Sequence, residues 1–318
     1  MAVKTEFSKD ELMAILSNYN LGEHKDSQPL TTGTVQTNFL IRTTKGKFVF
    51  RYYENRSWDS VSFETNLLKY LKDKNYPCPA PISNKNGKFV GVYNQKPHAI
   101  FEFMEGQHVE SPSEDQKSQL IKMVAELQNL TRNYRPLKKR HRWNYSVELC
   151  RVLARREAER INTANSRKKL QWLEDELTNL NLPSTLPKGI CHCDFHFSNV
   201  LFKDGDFNAL LDFDDANHTF LMFDLVGLIE SAAWRHDKDE VLDFSEARKV
   251  LSEYMRHRCL NNNEKRHLFD VYKLSILFDC VWYFERGDTT DFYEKRKIEH
   301  LDSIGRQEFY NKLFCHGY

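Results

Sequence analysis

The most informative part of this 318-residue chain reads His192-Cys193-Asp194-Phe195-His196-Phe197-Ser198-Asn199. Polar and charged side chains follow one another here, in a segment that interrupts the helical pattern on either side. Short apolar runs at 199–202 and 209–213 then flank a turn of Asp and Gly, which predicts a small β-hairpin. A further acid, Asp212, lies in the second run, and Asp224 follows twelve residues later.

These residue types suit the transfer of a phosphoryl group. Such a reaction needs a carboxylate that accepts the proton of an attacking hydroxyl, and hard oxygen ligands that hold Mg²⁺ on the phosphates. Asp194 offers the carboxylate, while Asn199 and Asp212 offer an amide oxygen and a carboxylate oxygen for the metal ion. We expect the hairpin to bring Asn199 and Asp212 together.

The first third of the chain predicts strands. β-rich runs at 37–42 and 47–53 enclose a turn that contains glycine, which is typical of a hairpin. Apolar residues at three-to-four spacing from Phe63 to Leu71 predict a helix after it. Two more strands are predicted at residues 88–93 and 98–103.

The second part of the chain predicts helices. Ser111-Pro112-Ser113-Glu114 has the pattern of a helix start, with Ser111 as the cap. Regions 145–180 and 228–318 also have helical patterns, and the second is rich in aromatic residues. The expected architecture is α+β and bilobal, with a β-rich lobe over residues 1–104 and a mainly helical lobe over residues 105–318.

Charge and composition exclude several classes of protein. The chain has 46 Lys and Arg against 45 Asp and Glu, a net charge of +1, whereas a general nucleic-acid or membrane-surface binder carries a basic excess. Apolar residues make up 40% of the chain, but no run is long enough for a transmembrane helix. Seven scattered cysteines and an N-terminus without a signal-like apolar region indicate reduced thiols and a cytoplasmic protein.

The combined motifs resemble the protein-kinase-like superfamily, and most closely its small-molecule branch, the aminoglycoside phosphotransferase and choline kinase type. His-x-Asp-x-x-x-x-Asn, then Asp-Phe and then Asp-Leu, is similar to the catalytic and metal loops of that family. Here the pattern is carried by 192–199, Leu211-Asp212-Phe213 and Asp224-Leu225, with Cys193 where the family usually has glycine. The resemblance implies a protein-kinase-like fold, ATP and Mg²⁺ as cofactors, and a small-molecule hydroxyl acceptor.

The resemblance also implies a role for each motif residue. Asp194 resembles the catalytic base and His192 the histidine that supports its loop. Asp224 resembles the acid that braces this loop through backbone hydrogen bonds. Asn199 and Asp212 resemble the metal ligands.

In the N-terminal lobe the resemblance implies residues that bind the nucleotide. The phosphate-covering turn would contain Gly33 and Asn38, and the linker that meets adenine would be Glu102-Phe103-Met104. Glu64 lies where a helix glutamate pairs with a strand lysine. That lysine is replaced by Arg51, which keeps the charge but presents a planar fork instead of a point charge.

The acceptor is the open question. The chain is most similar to the kinase-like type of homoserine kinase, in the segments 37–50, 76–82 and 277–286. Such an acceptor is a zwitterion, so its site needs a cationic and an anionic anchor beside the catalytic base. The candidate acceptor contacts are His196, Asp214, Glu230 and Arg286. Asp214 is also a candidate ligand of a second metal ion.

Other interpretations remain open at the level of the sequence. An aminoglycoside or a choline or ethanolamine phosphotransferase shares the motifs, although no strongly acidic region suited to a polycationic aminoglycoside is evident. A stress-response Ser/Thr protein kinase is disfavoured, because only eleven residues separate Asp212 from Asp224. A non-catalytic nucleotide-binding module is motivated by Arg51. A zinc site at 191–196 lacks a second cluster of ligands. The oligomeric state is undetermined.

Overall fold

The computed structural model describes residues 4–31, 35–235, 241–287, 292 and 294–314. Up to residue 112 the elements are α1 (Lys9–Leu16), β1 (His24–Leu30), β2 (Thr37–Thr43), β3 (Gly46–Tyr52), α2 (Trp58–Asp73), β4 (Val90–Tyr93) and β5 (Lys96–Glu102). Those that follow are α3 (Glu114–Leu130), α4 (Val147–Ile161), α5 (Ala164–Thr178), β6 (Lys188–Cys191), β7 (Val200–Lys203), β8 (Asp206–Leu210), β9 (Asn217–Phe220), α6 (Met222–Ala233), β10 (Trp234–Arg235), β11 (Val241–Leu242), α7 (Phe244–His257), α8 (Asn262–Trp282), α9 (Lys295–Ile304) and α10 (Arg306–Phe314).

The chain forms two compact units. The first comprises Met1–Pro112, Asn133–Arg142 and His196–Ala216, and the second comprises Ser113–Arg132, Trp143–Phe195 and Asn217–Tyr318. The first unit therefore includes two segments from beyond residue 104. The functional division into lobes 1–104 and 105–318 stays a prediction.

An antiparallel sheet in the order β1-β2-β3-β5-β4 forms the centre of the first unit. The predicted hairpin is confirmed as β2 and β3, in which Thr43 pairs with Gly46 across the turn. Phe50 and Tyr52 alternate along β3 and are buried, since residues two apart in a strand share one face. Arg51 points to the other face, directly opposite Asn38 of β2.

Helix α2 follows the hairpin as predicted. Ser57 caps its N-terminus, with the hydroxyl oxygen accepting from the Ser60 N–H at 3.2 Å, which satisfies a donor that the helix leaves unpaired. Phe63, Leu67 and Leu71 bury one side of the helix. Glu64 lies within this buried part and is 1% exposed.

The small hairpin at 200–210 also belongs to the first unit and is confirmed as β7 and β8. Val200 pairs with Leu210, and the Leu211 N–H donates to the Asn199 carbonyl at 2.7 Å. The ladder therefore continues to the residue next to Asp212. Asn199 and Asp212 come together at one end of this hairpin, as predicted.

The second unit consists mainly of helices, as expected for 145–180 and 228–318. The predicted cap of its first helix is wrong by two residues: Ser113, not Ser111, caps α3. The Ser113 hydroxyl accepts from the Gln116 N–H, and the Gln116 side chain accepts from the Ser113 N–H. This reciprocal pair defines the helix start and leaves Pro112 outside the helix.

Two short antiparallel pairs in the second unit were not predicted. β6 pairs with β9, with Cys191 opposite Asn217, and β10 pairs with β11. The first pair places the residues that follow β6 next to the start of α6. No helix among the described residues combines the length and the apolarity that crossing a membrane requires.

Candidate active site

Asp212 lies directly after the small hairpin of the first unit. Its backbone is left-handed, with φ 58° and ψ 60°. Apart from glycine, Asn and Asp adopt this conformation with less strain than other residues do. Its side chain is 43% exposed. The neighbouring Asn199 amide and the Asp212 carboxylate are hard oxygen donors of the kind that Mg²⁺ prefers, so the residues present fit the predicted ion.

Arg51 connects the central sheet to this hairpin. Its Nη1 lies 2.8 Å from an Asp212 oxygen and 3.7 Å from Glu64 Oε1, while its Nε donates to Asn38 Oδ1 at 3.1 Å. Burial by itself would lower the pKa of Arg51, but the Asp212 charge raises it above its ordinary value. The guanidinium is therefore charged and placed between two carboxyl groups.

Glu64 is the buried member of this group. Its Oε2 accepts a hydrogen bond from the Tyr53 hydroxyl at 3.0 Å. Burial raises the pKa of Glu64 to about 7, and the charge of Asp214 adds to the effect while Arg51 opposes it. The buried Glu64 carboxyl group therefore keeps its proton to a higher pH than an exposed glutamate does.

Asp214 is held by cations of the first unit. Arg56 Nε donates to it at 2.9 Å, and the Gln36 amide donates to its other oxygen at 2.8 Å. Arg56 also pairs with Asp215 at 2.8 Å. Burial would raise the pKa of Asp214, but Arg56 and other arginines lower it. The carboxylate is buried and already paired, so its predicted contact with the acceptor or a second metal ion stays a prediction.

Arg142 is a site residue that no sequence pattern indicated. It is 8% exposed and donates to the backbone carbonyls of Phe213, Asp214 and Ala216 and to the Ser60 hydroxyl. Its guanidinium therefore holds the segment after Asp212 against α2. In the sequence it ends a basic run that starts at Lys138, which is the pattern of a solvated surface.

Asp224 organises the second unit's part of the motif. Its carboxylate accepts from the backbone N–H groups of His192 at 3.1 Å and Cys193 at 2.9 Å. The Gln128 amide donates to it at 3.3 Å, and Gln128 in turn accepts from the Tyr254 hydroxyl. Burial raises the pKa of Asp224, although the Cys193 N–H opposes this shift. Neither Gln128 nor Tyr254 was recognisable from the sequence, because each is a single residue on a distant helix.

The backbone conformation of Cys193 is one that favours glycine. Its φ is +65°, the left-handed region that glycine adopts without steric cost. The Asn217 amide donates to its sulfur at 3.2 Å. The loop thus carries a small side chain in a strained conformation just before Asp194.

Asp194 and His196 are exposed, while His192 is fully buried and packs against Phe195 with ring centroids 4.7 Å apart. His196 Nδ1 accepts from the Ser198 N–H at 3.2 Å and is thereby part of a local turn. Asp194 and His192 belong to the second unit, and Asn199 and His196 to the first.

The remaining predicted residues lie as follows. Glu230 accepts from Lys297 at 2.6 Å, and the Arg286 guanidinium lies 4.0 Å from the centre of the Tyr283 ring. Glu102 pairs with Lys72 at 3.0 Å. Met104 is half-buried, and Gly33 lies outside the described residues.

The chain is similar to a known enzyme family and to curated proteins of known activity. The model of the phosphotransferase enzyme family APH matches residues 26–258. A homoserine kinase of Bartonella henselae is 30% identical over 270 residues, which cover 82% of this chain and 81% of that protein. A homoserine kinase of Rhodospirillum rubrum is 30% identical over 267 residues, which cover 83% and 81%.

Solved structures with the same fold include two antibiotic kinases. Amicoumacin kinase hAmiN, in complex with AMP-PNP, Ca²⁺ and amicoumacin, superposes with a TM-score of 0.62 at 15% identity over 95% of this chain and 94% of that one. Spectinomycin phosphotransferase APH(9)-Ia, with ADP and spectinomycin, superposes with a TM-score of 0.59 at 12% identity over 98% and 99%. The predicted bilobal protein-kinase-like fold is confirmed.

The raised pKa of Glu64 predicts a pH dependence of stability. Between pH 4.5, its ordinary pKa, and about pH 7, the folded protein holds a proton that the unfolded chain releases. The free energy of unfolding therefore falls as the pH rises through this window, by on the order of 1–3 kcal/mol. Glu64→Gln should remove this decline in urea titrations of the ligand-free chain. The exposed Glu110→Gln serves as the control, and an unchanged slope in Glu64→Gln contradicts the assignment.

The backbone of Cys193 predicts a difference between two substitutions. Cys193→Gly and Cys193→Ala both remove the thiol, but only glycine relieves the left-handed strain. We expect the glycine variant to be more stable than the alanine variant by about 1 kcal/mol. Thermal and urea unfolding of the two variants measure this difference, and equal stability would show that the loop has relaxed away from this conformation.

Proposed function

We propose a specific reaction for this chain, which belongs to the APH phosphotransferase enzyme family and transfers a phosphoryl group to a hydroxyl acceptor. The proposed donor is ATP with Mg²⁺, and the proposed acceptor is homoserine or a related amino acid or amino alcohol. The main support is the 30% identity to homoserine kinases over four-fifths of both chains. We place the reaction in the cytoplasm, where ATP is abundant.

In the proposed mechanism Asp194 accepts the proton of the acceptor hydroxyl. The side chain is exposed, as a base that meets a diffusing substrate must be. Its loop is held by the hydrogen bonds from His192 and Cys193 to the buried Asp224. Rigid placement of the base supports catalysis, because phosphoryl transfer depends mainly on positioning and charge neutralisation.

We assign Asn199 and Asp212 as ligands of Mg²⁺, which when bound would neutralise charge on the phosphates. Arg51 pairs with Asp212 at 2.8 Å. Its charge suits an oxygen of the nucleotide phosphates, with Glu64 behind it as a second partner at 3.7 Å. An arginine with two carboxyl partners can remain oriented while one of them turns to the metal ion.

The proposed nucleotide contacts are those implied by the family. They comprise Gly33 and Asn38 near the phosphates and the linker residues Glu102 and Met104 near adenine. Asn38 supports the assignment indirectly, because its side-chain oxygen accepts from Arg51.

An acceptor panel tests the function. ADP release is measured with homoserine, choline, ethanolamine and an aminoglycoside, in the presence of ATP and Mg²⁺. We expect the highest kcat/KM for homoserine, and a preference for another acceptor would overturn the assignment. Asp194→Ala should lower kcat by about 10²–10⁴-fold and leave nucleotide affinity unchanged. The control is Asp206→Ala, which removes an exposed acid at the start of β8, and full activity of Asp194→Ala would exclude Asp194 as the base.

The role of Asp212 predicts a loss that depends on magnesium. Calorimetry with a non-hydrolysable ATP analogue should show that Mg²⁺ tightens binding to the natural chain. In Asp212→Ala this gain should shrink by about 10- to 100-fold or more, a range that is typical for losing even a supporting group of a metal site. Asp206→Ala should retain the full gain, and an equal gain in Asp212→Ala would remove Asp212 from the metal site.

A further inference from the structure

A chain of side-chain hydrogen bonds leads to Asp224 through the second unit. Arg258, which follows α7, donates to the Tyr254 hydroxyl at 3.0 Å, and this hydroxyl donates to the side-chain oxygen of Gln128. The Gln128 amide nitrogen donates to an Asp224 oxygen at 3.3 Å. Tyr254 is fully buried, while Gln128 and Asp224 are 3% and 2% exposed. The inner bonds of the chain therefore lie in the core of this unit.

The outer end of the chain is anchored to the start of α8. Arg258 Nη2 lies 2.5 Å from Glu264 Oε1, and Glu264 is 2% exposed. The other oxygen of Glu264 accepts from the Asn261 N–H at 3.0 Å, and the Asn261 side-chain oxygen accepts from the Glu264 N–H at 2.9 Å. This reciprocal pair is the capping box of α8. Arg258 is thus held by a carboxylate that the helix start fixes in place.

Each bond of this chain has a fixed direction. A guanidinium group donates hydrogen bonds and does not accept them, so the single hydroxyl hydrogen of Tyr254 goes to Gln128. The Gln128 oxygen therefore faces Tyr254, and its NH₂ group faces Asp224 and the Leu221 carbonyl, which lies at 2.9 Å. A donor aimed at a carboxyl group favours its ionised form. The orientation of the Gln128 amide thus keeps Asp224 an acceptor.

The inner end of the chain sets the rotation of the Asp224 carboxylate. Gln128 and the His192 N–H donate to the same oxygen, Oδ2, whereas the Cys193 N–H donates to Oδ1 at 2.9 Å. If the carboxylate turned about its own bond, both backbone donors would lose their acceptor geometry. Gln128 therefore helps to fix the position of Cys193, which is the residue directly before Asp194.

We infer that Gln128 and Tyr254 are positioning residues for Asp194 in phosphoryl transfer. Tyr254 fixes the orientation of the Gln128 amide, and Gln128 fixes the Asp224 carboxylate on which the loop hangs. The inference rests on the proposed role of Asp194 as the base. It extends that role to a chain of residues that links α3, α7 and α8 to the loop.

Tyr254→Phe tests the chain by removing a single hydroxyl group. We expect kcat with the preferred acceptor to fall by about 10-fold or more, because a misplacement of ~1 Å can cost on the order of 100-fold. The KM for ATP should stay unchanged, since the proposed nucleotide contacts belong to the first unit. Tyr272→Phe is the matched control. It removes the hydroxyl of another fully buried tyrosine, on α8, and should keep the natural kcat.

A second substitution tests whether the two residues act together. Gln128→Met keeps the length of the side chain and removes both its donor and its acceptor. We expect its kcat to be at least as low as that of Tyr254→Phe. The double variant should have the same kcat as Gln128→Met, because residues of one hydrogen-bond network are coupled. Losses that add in the double variant would overturn the inference.

Amide hydrogen exchange provides a measurement that does not require turnover. It is followed by mass spectrometry on the full chain, in peptides that contain His192 and Cys193. Exchange should be faster in Tyr254→Phe and Gln128→Met than in the natural chain, because the two backbone donors lose a fixed acceptor. In Tyr272→Phe these peptides should exchange at the natural rate.

The outcomes separate this inference from the proposed function. If the natural chain turns over an acceptor and Tyr254→Phe keeps full kcat, the inference is overturned. If Tyr254→Phe does not fold, as judged by its melting temperature, Gln128→Met decides by the same measurements. If the natural chain releases no ADP with any acceptor, the proposed function fails and hydrogen exchange decides. Faster exchange then supports the chain as the support of the loop, and unchanged exchange overturns it.

Discussion

The buried guanidinium of Arg142 is the contact on which the first unit's part of the site depends. Three backbone carbonyls between Phe213 and Ala216 point to it, and buried carbonyls without a donor would be costly. By gathering them, Arg142 holds the tight turn of residues 213–215 that follows the left-handed Asp212. Asp212 is then presented to Arg51, and Asp214 to Arg56.

The second unit uses the opposite charge for the same purpose. There the buried carboxylate of Asp224 collects the backbone N–H groups of His192 and Cys193. In both units one buried ionic side chain satisfies neighbouring backbone groups of a loop that lies outside the regular strands and α-helices. The Asp194 side chain remains exposed and that of Asp212 is 43% exposed, because in each loop a different, buried side chain satisfies the backbone groups. This separation explains how irregular loop segments hold the candidate site residues in place.

Local patterns were enough to predict the elements that carry the motifs. The hairpins β2–β3 and β7–β8 follow from β-rich runs around turns, and α2 follows from the spacing of Phe63, Leu67 and Leu71. The cap at Ser113 was missed because two Ser residues flank Pro112, and only the reciprocal bonds with Gln116 decide between them. Arg142 and Gln128 were missed because their partners lie far away in sequence, where a sequence pattern has no signal. The partners of Arg142 are mainly backbone carbonyls, and those of Gln128 include the side chains of Asp224 and Tyr254.

The sequence alone determined the order of acids along the chain and predicted an α+β architecture, because these depend on residue type and spacing, and its motifs resembled those of the phosphotransferase family that the comparisons then showed. Only the tertiary structure determined the state of those groups. It placed Arg51 between Glu64 and Asp212, paired Asp214 with Arg56 and gave Cys193 its left-handed backbone. Burial and charge neighbours act through space, so they raise the pKa of Glu64 and lower that of Asp214 although both are carboxylic acids in the same chain.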